Sequence, residues 1–208
     1  MRSGILNKKI NRRRILGIVS IDTETTGLNP NEDQVLEIAA VIDDFSGDNL
    51  KDIDDLPYFH CYVKHRKITG NLKALIMNQN LLKKIDSIDE TDSRVETPKG
   101  AIKKFISFLT DNYGDFYKYT ATGKNLAGFD FPFLDNLAPE YSDQFRFHFH
   151  HRILDVGSVY YDPYRDKNKL PNLQNCIDRA GIEKTVSHTA LGDAKDVLLL
   201  LREYYFGG

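Results

Sequence analysis

The sequence predicts a single α/β domain built on a mixed β-sheet, and three observations support this. The chain has 208 residues, 41% of them hydrophobic and 28% charged, which suits one domain with an ordinary core. Residues 15–22 form a nearly continuous run of branched apolar residues, typical of a strand covered on both faces. Closely spaced strands come first along the chain, and short strands then alternate with helices.

Three strands are predicted first, and their close spacing favours a meander before any helix. They cover residues 15–22, 35–42 and 58–63. Between the second and third strands, residues 43–55 carry six aspartates against one lysine and are expected to form a solvated turn. Asn71 can cap a helix that runs to about residue 85, and an acidic linker follows over residues 86–96. Thr97 and Pro98 are typical of the start of another helix.

The second half of the chain alternates short strands with helices. Strands are predicted at residues 117–122 and 152–155, and helices at residues 129–137, 172–180 and 190–205. The last helix carries an apolar stripe, with Asp193 at its border and Asp196 pointing almost directly away from it. We therefore expect Asp193 to face a site, and we expect Asp196→Asn to be close to neutral.

Charge is unevenly distributed along the chain. Residues 1–16 hold six of the 28 basic residues and no acid, so 22 basic residues stand against 30 acidic ones in the rest. Residues 1–14 are predicted to be a basic arm, which is more typical of a solvated terminus than of a phosphate-binding element. Residues 15–206 are predicted to form a single domain. An acidic domain suits a phosphate-bearing partner only where bound cations or local patches reverse its field.

The sequence contains none of the features of a membrane or secreted protein. No apolar run approaches the roughly 20 residues of a membrane-spanning helix, and the N-terminus lacks a signal-peptide pattern. Two cysteines, Cys61 and Cys176, cannot build a disulfide framework and are expected to be small core residues. We therefore expect a cytoplasmic protein without membrane association.

Acidic residues follow two of the predicted strands. Asp22 and Glu24 stand two apart at a strand end, so strand alternation puts both carboxylates on the same side. Asp130 follows the strand that ends near residue 122 and lies in the first turns of an apolar helix. Acids at strand ends and helix starts can be no more than helix caps or solvated charges. Carboxylates that are held close together, however, repel one another unless a cation lies between them, and their oxygens suit Mg²⁺ or Mn²⁺.

A third acid follows a histidine. His188 lies in a loop of the sequence 187–193 (SHTALGD), and Asp193 falls in the first turn of the last helix. A lone histidine is usually structural. Residues 148–151 (HFHH) could suggest a zinc site, but neither cysteine lies near them at ligand spacing, so zinc is not expected.

Taken together, these segments resemble the DEDDh (DnaQ-like) family of 3′-to-5′ exonucleases, which includes proofreading subunits, oligoribonuclease and RNase T. The matching motifs occur in the order 21–28 (IDTETTGL) with 36–41 (LEIAAV), then Gly123-x-Asn125 with Phe129-Asp130, then His188-x4-Asp193. Each motif is modest alone, but their joint order and spacing are specific. The resemblance implies an RNase H-like (exonuclease) fold, with a mixed central β-sheet flanked by helices.

The resemblance also implies roles for individual residues. Four acids would hold two divalent ions, Mg²⁺ or Mn²⁺: Asp22, the bridging ligand, with Glu24, Asp130 and Asp193. His188 would be the general base that takes the proton of the attacking water. Weaker parallels place six residues against the substrate: Thr25, Thr26, Gly27, Leu28, Asn125 and Phe129. Phe131 and Phe133 are expected to be core residues rather than base-stacking ones, and Asp155 a capping residue.

The implied activity is metal-dependent hydrolysis of phosphodiester bonds at the 3′ end of single-stranded DNA or RNA, releasing nucleoside 5′-monophosphates by a two-metal-ion mechanism. One alternative is a proofreading subunit bound to a polymerase or to another replication, repair or RNA-processing protein. Another is a non-catalytic nucleic-acid-binding module, against which the intact set of acids and histidine argues. Five basic residues between the last two motifs could contact phosphates or be solvated surface: Arg146, Arg152, Arg165, Lys167 and Lys169.

Overall fold

The computed structural model describes residues 17–45, 50–89, 91–112 and 118–207. Within these ranges the strands are β1 (Ile18–Thr25), β2 (Val35–Asp43), β3 (Tyr58–Val63), β4 (Val95–Glu96), β5 (Thr120–Gly123) and β6 (Leu154–Asp155). The α-helices are α1 (Leu72–Met77), α2 (Gln79–Ser87), α3 (Pro98–Asp111), α4 (Asp130–Leu137), α5 (Ser142–Phe147), α6 (Val156–Val159), α7 (Leu173–Ala180) and α8 (Ala190–Phe206). The predicted basic arm lies outside the described residues.

The six strands form one mixed sheet in the order β4-β3-β2-β1-β5-β6. β1, β2 and β3 are paired antiparallel, which is the predicted meander. β5 runs parallel to β1, with Ser20 opposite Thr122, so the carboxyl ends of these two strands lie at the same edge. The segment after β5 leads into α4, and Asp130, the first residue of that helix, lies beside Thr23 near the end of β1. The predicted mixed sheet flanked by helices is confirmed.

Residues of β1 alternate between the two faces of the sheet. Val19 and Ile21 pack into a core cluster with residues of α3 and α4, among them Phe105 and Phe131. Ile18 instead packs with residues of α8, including Leu198. Since side chains alternate along a strand, Asp22 and Glu24 lie on the same face as Ile18 and under α8.

Phe131 and Phe133 are buried in the core, as predicted. Cys61 and Cys176 are buried free thiols, also as predicted. Arg146 is a structural residue, because its guanidinium pairs with Asp135 at 2.8 Å and lies 3.7 Å from the Phe131 ring centroid. None of the described helices is both long and apolar enough to cross a bilayer.

The helix predicted from Asn71 to residue 85 is two helices. Asn71 caps α1 as predicted, with its side chain accepting from the Lys73 N–H at 2.9 Å. The helix breaks at Asn78, whose side chain donates to the Thr25 carbonyl at 3.0 Å and ties the break to the end of β1. The predicted acidic linker contains β4, which pairs with β3. β4, α5 and α6 are short elements that sequence periodicity does not reveal.

Two aspartates are buried although the sequence predicts a solvated turn around one, Asp43, and a position away from the apolar stripe for the other, Asp196. Asp43 lies at the end of β2, where its carboxylate pairs with the Arg202 guanidinium at 2.7 Å. Residues 46–49 of the same acidic stretch lie outside the described ranges. Asp196 is only 1% exposed and pairs with the ammonium of Lys184. Asp196 was expected to point away from the apolar stripe of the last helix, but that side of α8 is not solvated, because the segment before the helix covers it.

Candidate active site

Three carboxylates converge where the end of β1 meets the start of α8. One oxygen from each of Asp22, Glu24 and Asp193 lies within 4.8 Å of the others. Asp22 and Glu24 come from alternate positions of β1, and Asp193 comes from the first turn of α8. The strand places two acids on the face that the helix covers, and the helix supplies the third. We call these residues the carboxylate cluster.

Asp130 adjoins the carboxylate cluster without belonging to it. It is the buried first residue of α4, and its Oδ1 accepts the Thr23 N–H at 2.9 Å and the Thr23 hydroxyl at 2.8 Å. Its charge is the strongest electrostatic contribution among those that raise the pKa of Asp22. The fourth predicted acid is thus near enough to act with the other three, and one of its oxygens is held by β1.

Burial is the main reason that all four acids have raised pKa values. The pKa of Asp22 lies well above its usual range, because burial and then the charges of Asp130 and Asp193 disfavour its ionised form. Burial, followed by the charges of Glu37 and Asp193, raises the pKa of Glu24 to about 7, although a hydrogen bond from Asn78 opposes the shift. Burial raises the pKa of Asp130 to about 7 despite its hydrogen bonds from Thr23.

The pKa of Asp193 rises to about 6, again mainly through burial, although the charge of His188 opposes the rise. Buried carboxylates that repel one another favour either bound protons or a bound cation. Carboxylate oxygens are the ligands that hard divalent cations such as Mg²⁺ and Mn²⁺ prefer. The donor set of the carboxylate cluster therefore fits a divalent metal ion.

His188 lies in the exposed segment that leads into α8. Its backbone has a φ of 52°, in the left-handed region, and its backbone hydrogen bond and charge both lower the pKa of Asp193. The Ser187 hydroxyl also approaches Asp193 Oδ1, at 3.4 Å. The histidine is thus next to the carboxylate cluster and open to solvent, as a group that must meet an entering substrate should be.

The turn after β1 is built from its own side chains. The Thr25 hydroxyl donates to the Gly27 carbonyl at 2.7 Å, and the Thr26 hydroxyl accepts the Gln34 N–H at 2.8 Å. A Cβ on Gly27 would lie 2.1 Å from Asp33 Oδ2, so a larger residue there would displace the Asp33 carboxylate from the Asn29 N–H. The threonine hydroxyls are used within the protein, and the Thr26 backbone is too: its N–H donates to the Gln34 carbonyl and its carbonyl accepts the Asn71 N–H, each at 2.8 Å.

Leu28 projects from this turn and is 83% exposed. It lines a groove of about 640 Å³ together with Lys73, Ala74 and Met77 of α1. The lining also includes the acids Glu32 and Asp33, so the groove combines an apolar wall with charges of both signs, beside the turn that follows Glu24.

Asn125 and Phe129 lie between β5 and α4. Asn125 is exposed with a φ of 60°, and its N–H donates to Asp155 Oδ2 at 2.7 Å. Asp155 also caps α6 by accepting the Gly157 N–H at 2.7 Å, which confirms the predicted capping role. Phe129 is half-buried and packs on Phe133, with 5.0 Å between ring centroids.

Sequence reasoning missed three residues that shape the site. Thr23 and Asn78 hold Asp130 and Glu24 through hydrogen bonds, and no local sequence signal reveals either contact. Glu37 belongs to the motif at residues 36–41, but the sequence does not indicate its contacts. It stands opposite Glu24 across the β1–β2 pair, is 3% exposed, and lies 2.6 Å from His60 Nε2.

The sequence profile of the exonuclease family matches residues 19–201. The chain belongs to this exonuclease family. Its relatives include the oligoribonuclease of Baumannia cicadellinicola subsp. Homalodisca coagulata, 30% identical over 189 residues that cover 90% of this chain and 91% of that protein. The oligoribonuclease of Acinetobacter baylyi is 28% identical over 204 residues, covering 91% of this chain and 94% of that protein.

Solved structures with the same fold include apo Exonuclease I, with a TM-score of 0.64 and 18% identity over 91% of this chain and 42% of that chain. E. coli Exonuclease I in complex with a dT13 oligonucleotide has a TM-score of 0.63 and 16% identity, over 90% of this chain and 41% of that chain. This exonuclease therefore spans about two fifths of those chains. The predicted RNase H-like fold and the enzyme class, a 3′-to-5′ exonuclease, are confirmed.

Proposed function

We propose that this exonuclease removes nucleotides from the 3′ end of single-stranded nucleic acid and releases nucleoside 5′-monophosphates, using two divalent cations, Mg²⁺ or Mn²⁺. The observation that carries the proposal is the carboxylate cluster, with its three oxygens within 4.8 Å, together with the exposed His188 beside it. Exonucleases of this family need divalent metal ions, and the cluster offers the oxygen ligands that such ions prefer.

Asp22, Glu24 and Asp193 would hold the cations, with Asp22 shared between them and Asp130 as the fourth ligand. Asp22 suits the shared position because the charges of all three other acids act on it. When bound, the two cations would activate a water and stabilise the leaving 3′ oxygen. The Thr23 hydrogen bonds keep Asp130 oriented toward β1.

His188 takes the proton of the attacking water on its imidazole. An exposed imidazole beside the carboxylate cluster can accept this proton and pass it to solvent.

The terminal nucleotides bind along the turn after β1. Backbone groups of Thr25, Thr26 and Gly27 approach the 3′ nucleotide, and the exposed Leu28 packs against its base. The groove behind Leu28 offers Met77 as apolar surface, and its lining holds Lys73 together with the acids Glu32 and Asp33. Asn125 and Phe129 line the other side, next to Asp130. Unpaired bases are required because apolar contacts to base faces need unstacked nucleotides.

Short single-stranded RNA is the first substrate to test, because relatives that match about nine tenths of this chain are named oligoribonucleases. Single-stranded DNA is the second, because a structural neighbour is complexed with dT13. We place the enzyme in the cytoplasm and propose that it acts without a polymerase.

The proposal is tested by identifying the product from a seven-nucleotide RNA with Mn²⁺ present. We expect nucleoside 5′-monophosphates, and we expect a 3′-phosphate block to slow their release strongly. Release of 3′-monophosphates, or equal rates on blocked and free ends, would contradict the proposal. Binding without hydrolysis, or hydrolysis that needs an added polymerase, would favour one of the two alternatives.

A further inference from the structure

The segment that carries His188 is short and is anchored on both sides. Before it, Gln174 of α7 contacts two backbone groups at once. The Gln174 Nε2 donates to the Lys184 carbonyl at 3.0 Å, and the Gln174 Oε1 accepts the Val186 N–H at 2.9 Å. The backbone is therefore fixed up to two residues before His188.

A second contact reinforces this anchor. Lys184 forms an ion pair with Asp196, which lies one turn after Asp193 on α8 and is 1% exposed. The segment is thereby tied to the same helix that supplies Asp193 to the carboxylate cluster. A shift of this segment would break an ion pair with a buried carboxylate, which is costly because that charge would lose its partner.

After His188, the anchor is Glu37. Its Oε2 accepts the N–H of Ala190, the first residue of α8, at 3.2 Å. Its other oxygen, Oε1, lies 2.6 Å from His60 Nε2 on the adjacent strand β3. The start of α8 is therefore tied to the central sheet, whose strand β1 carries Asp22 and Glu24.

Only residues 187–189 lie between the two anchors, and His188 has a left-handed backbone with a φ of 52°. That conformation is unfavourable for a residue with a Cβ, and it persists only where the surroundings impose it. The anchors on both sides provide that constraint. Nothing else in the proposed mechanism requires Gln174, which lies outside the carboxylate cluster.

We infer that Gln174 and Glu37 are positioning residues that hold the imidazole of His188 over the carboxylate cluster. This inference rests on the proposed role of His188 as general base. Gln174 is the better residue to test, because Glu37 also acts electrostatically on Glu24. Misplacement of a catalytic group by about 1 Å can cost roughly 100-fold in rate.

The test is a double-mutant cycle with Gln174→Ala and His188→Ala, using the full chain, Mn²⁺ and a short RNA. We expect Gln174→Ala to lower kcat by about 10-fold or more while KM changes less than about twofold. In the His188→Ala background the same change should alter kcat by less than about twofold, because there is no imidazole to misplace. Gln144→Ala, on the exposed side of α5, is the matched control and should leave kcat unchanged.

Unchanged kcat in Gln174→Ala would overturn the inference. An equal loss in both backgrounds would also overturn it, because that result indicates general destabilisation. Full activity of His188→Ala would instead refute the proposed role of His188, which separates the two failures.

Discussion

Asp22 is the residue on which the charges of the site act most strongly. Burial and the charges of four other acids raise its pKa, so in the metal-free protein it opposes folding when ionised. We expect Asp22→Asn to abolish metal-dependent hydrolysis and also to raise the melting temperature in EDTA, because a neutral amide removes the repulsion. A gain of about 1 kcal/mol corresponds to roughly 2–4 °C in a domain of this size.

Calorimetry of wild type and Asp22→Asn, with EDTA and with Mn²⁺, checks this prediction. Mn²⁺ should raise the melting temperature of the wild type and have little effect on the variant. A variant that melts several degrees lower in EDTA would show that the Asp22 carboxylate stabilises the fold, and the account of its charge would be wrong.

Strand alternation was enough to predict that Asp22 and Glu24 share a side, because that relation is local. The hydrogen bonds between Thr23 and Asp130 join residues 107 positions apart, and no local rule predicts them. The same holds for Glu37 and Ala190, which are 153 positions apart. Residue types therefore indicated the chemistry, whereas the contacts that orient these residues needed the fold.

At the scale of elements, α8 shows the limit of a helical-wheel argument. The wheel placed Asp196 opposite the apolar stripe, but it could not show that the segment around Lys184 covers that side. α1 and α2 show the same limit, because the contact of Asn78 with the end of β1 interrupts an otherwise helical stretch. Local periodicity predicts where helices form and leaves open what packs on them.

The Lys184–Asp196 pair yields a prediction that replaces the expected neutral change. Asp196 is buried, and its carboxylate oxygen Oδ2 has no partner among the described residues, whereas the Lys184 side chain is 42% exposed. Lys184→Ala should therefore destabilise the protein more than Asp196→Asn, since it leaves a buried carboxylate without a cation, at a cost of about 1–3 kcal/mol. Urea unfolding of both variants measures this. Equal midpoints would show that Lys184 does not compensate the buried charge.

For the whole molecule, the raised pKa values predict how stability depends on pH in the absence of metal. Between about pH 4 and the raised values, the folded state holds protons that the unfolded state has released. The stabilisation is thus present below about pH 4 and is lost as the pH rises through 6 to 7, the pKa values of Asp193, Glu24 and Asp130. Melting temperatures in EDTA should report this fall.

Histidines act in the opposite direction over part of this range. Burial lowers the pKa values of His65 and His148, so their contribution to stability rises as the pH increases toward their usual value. Both proteins carry these histidines, so their contribution cancels in the difference between the melting temperatures of wild type and Asp22→Asn. We expect the melting temperature of the wild type to fall relative to the variant as the pH rises from 5.5 to 8. A constant difference between the two proteins would contradict the raised pKa of Asp22.

The architecture as a whole could be predicted well, because strand and helix order depends on hydrophobic periodicity along the chain. The mixed sheet and the helices flanking it followed from that order. β4 has only two residues, and α6 only four, so neither offers a full period of its pattern. Their positions depend on pairing with β3 and on capping by Asp155.

The most direct test of the account is a time course on 5′-labelled single-stranded RNA and DNA of the same sequence, with Mg²⁺, Mn²⁺ or EDTA, for wild type and Asp22→Asn. The account predicts a ladder that shortens from the 3′ end only with wild-type protein and a divalent cation. The ratio of the RNA and DNA rates would then define the substrate preference. Cleavage in EDTA, or an equal ladder from Asp22→Asn, would contradict the assignment of the carboxylate cluster as the metal-dependent catalytic centre.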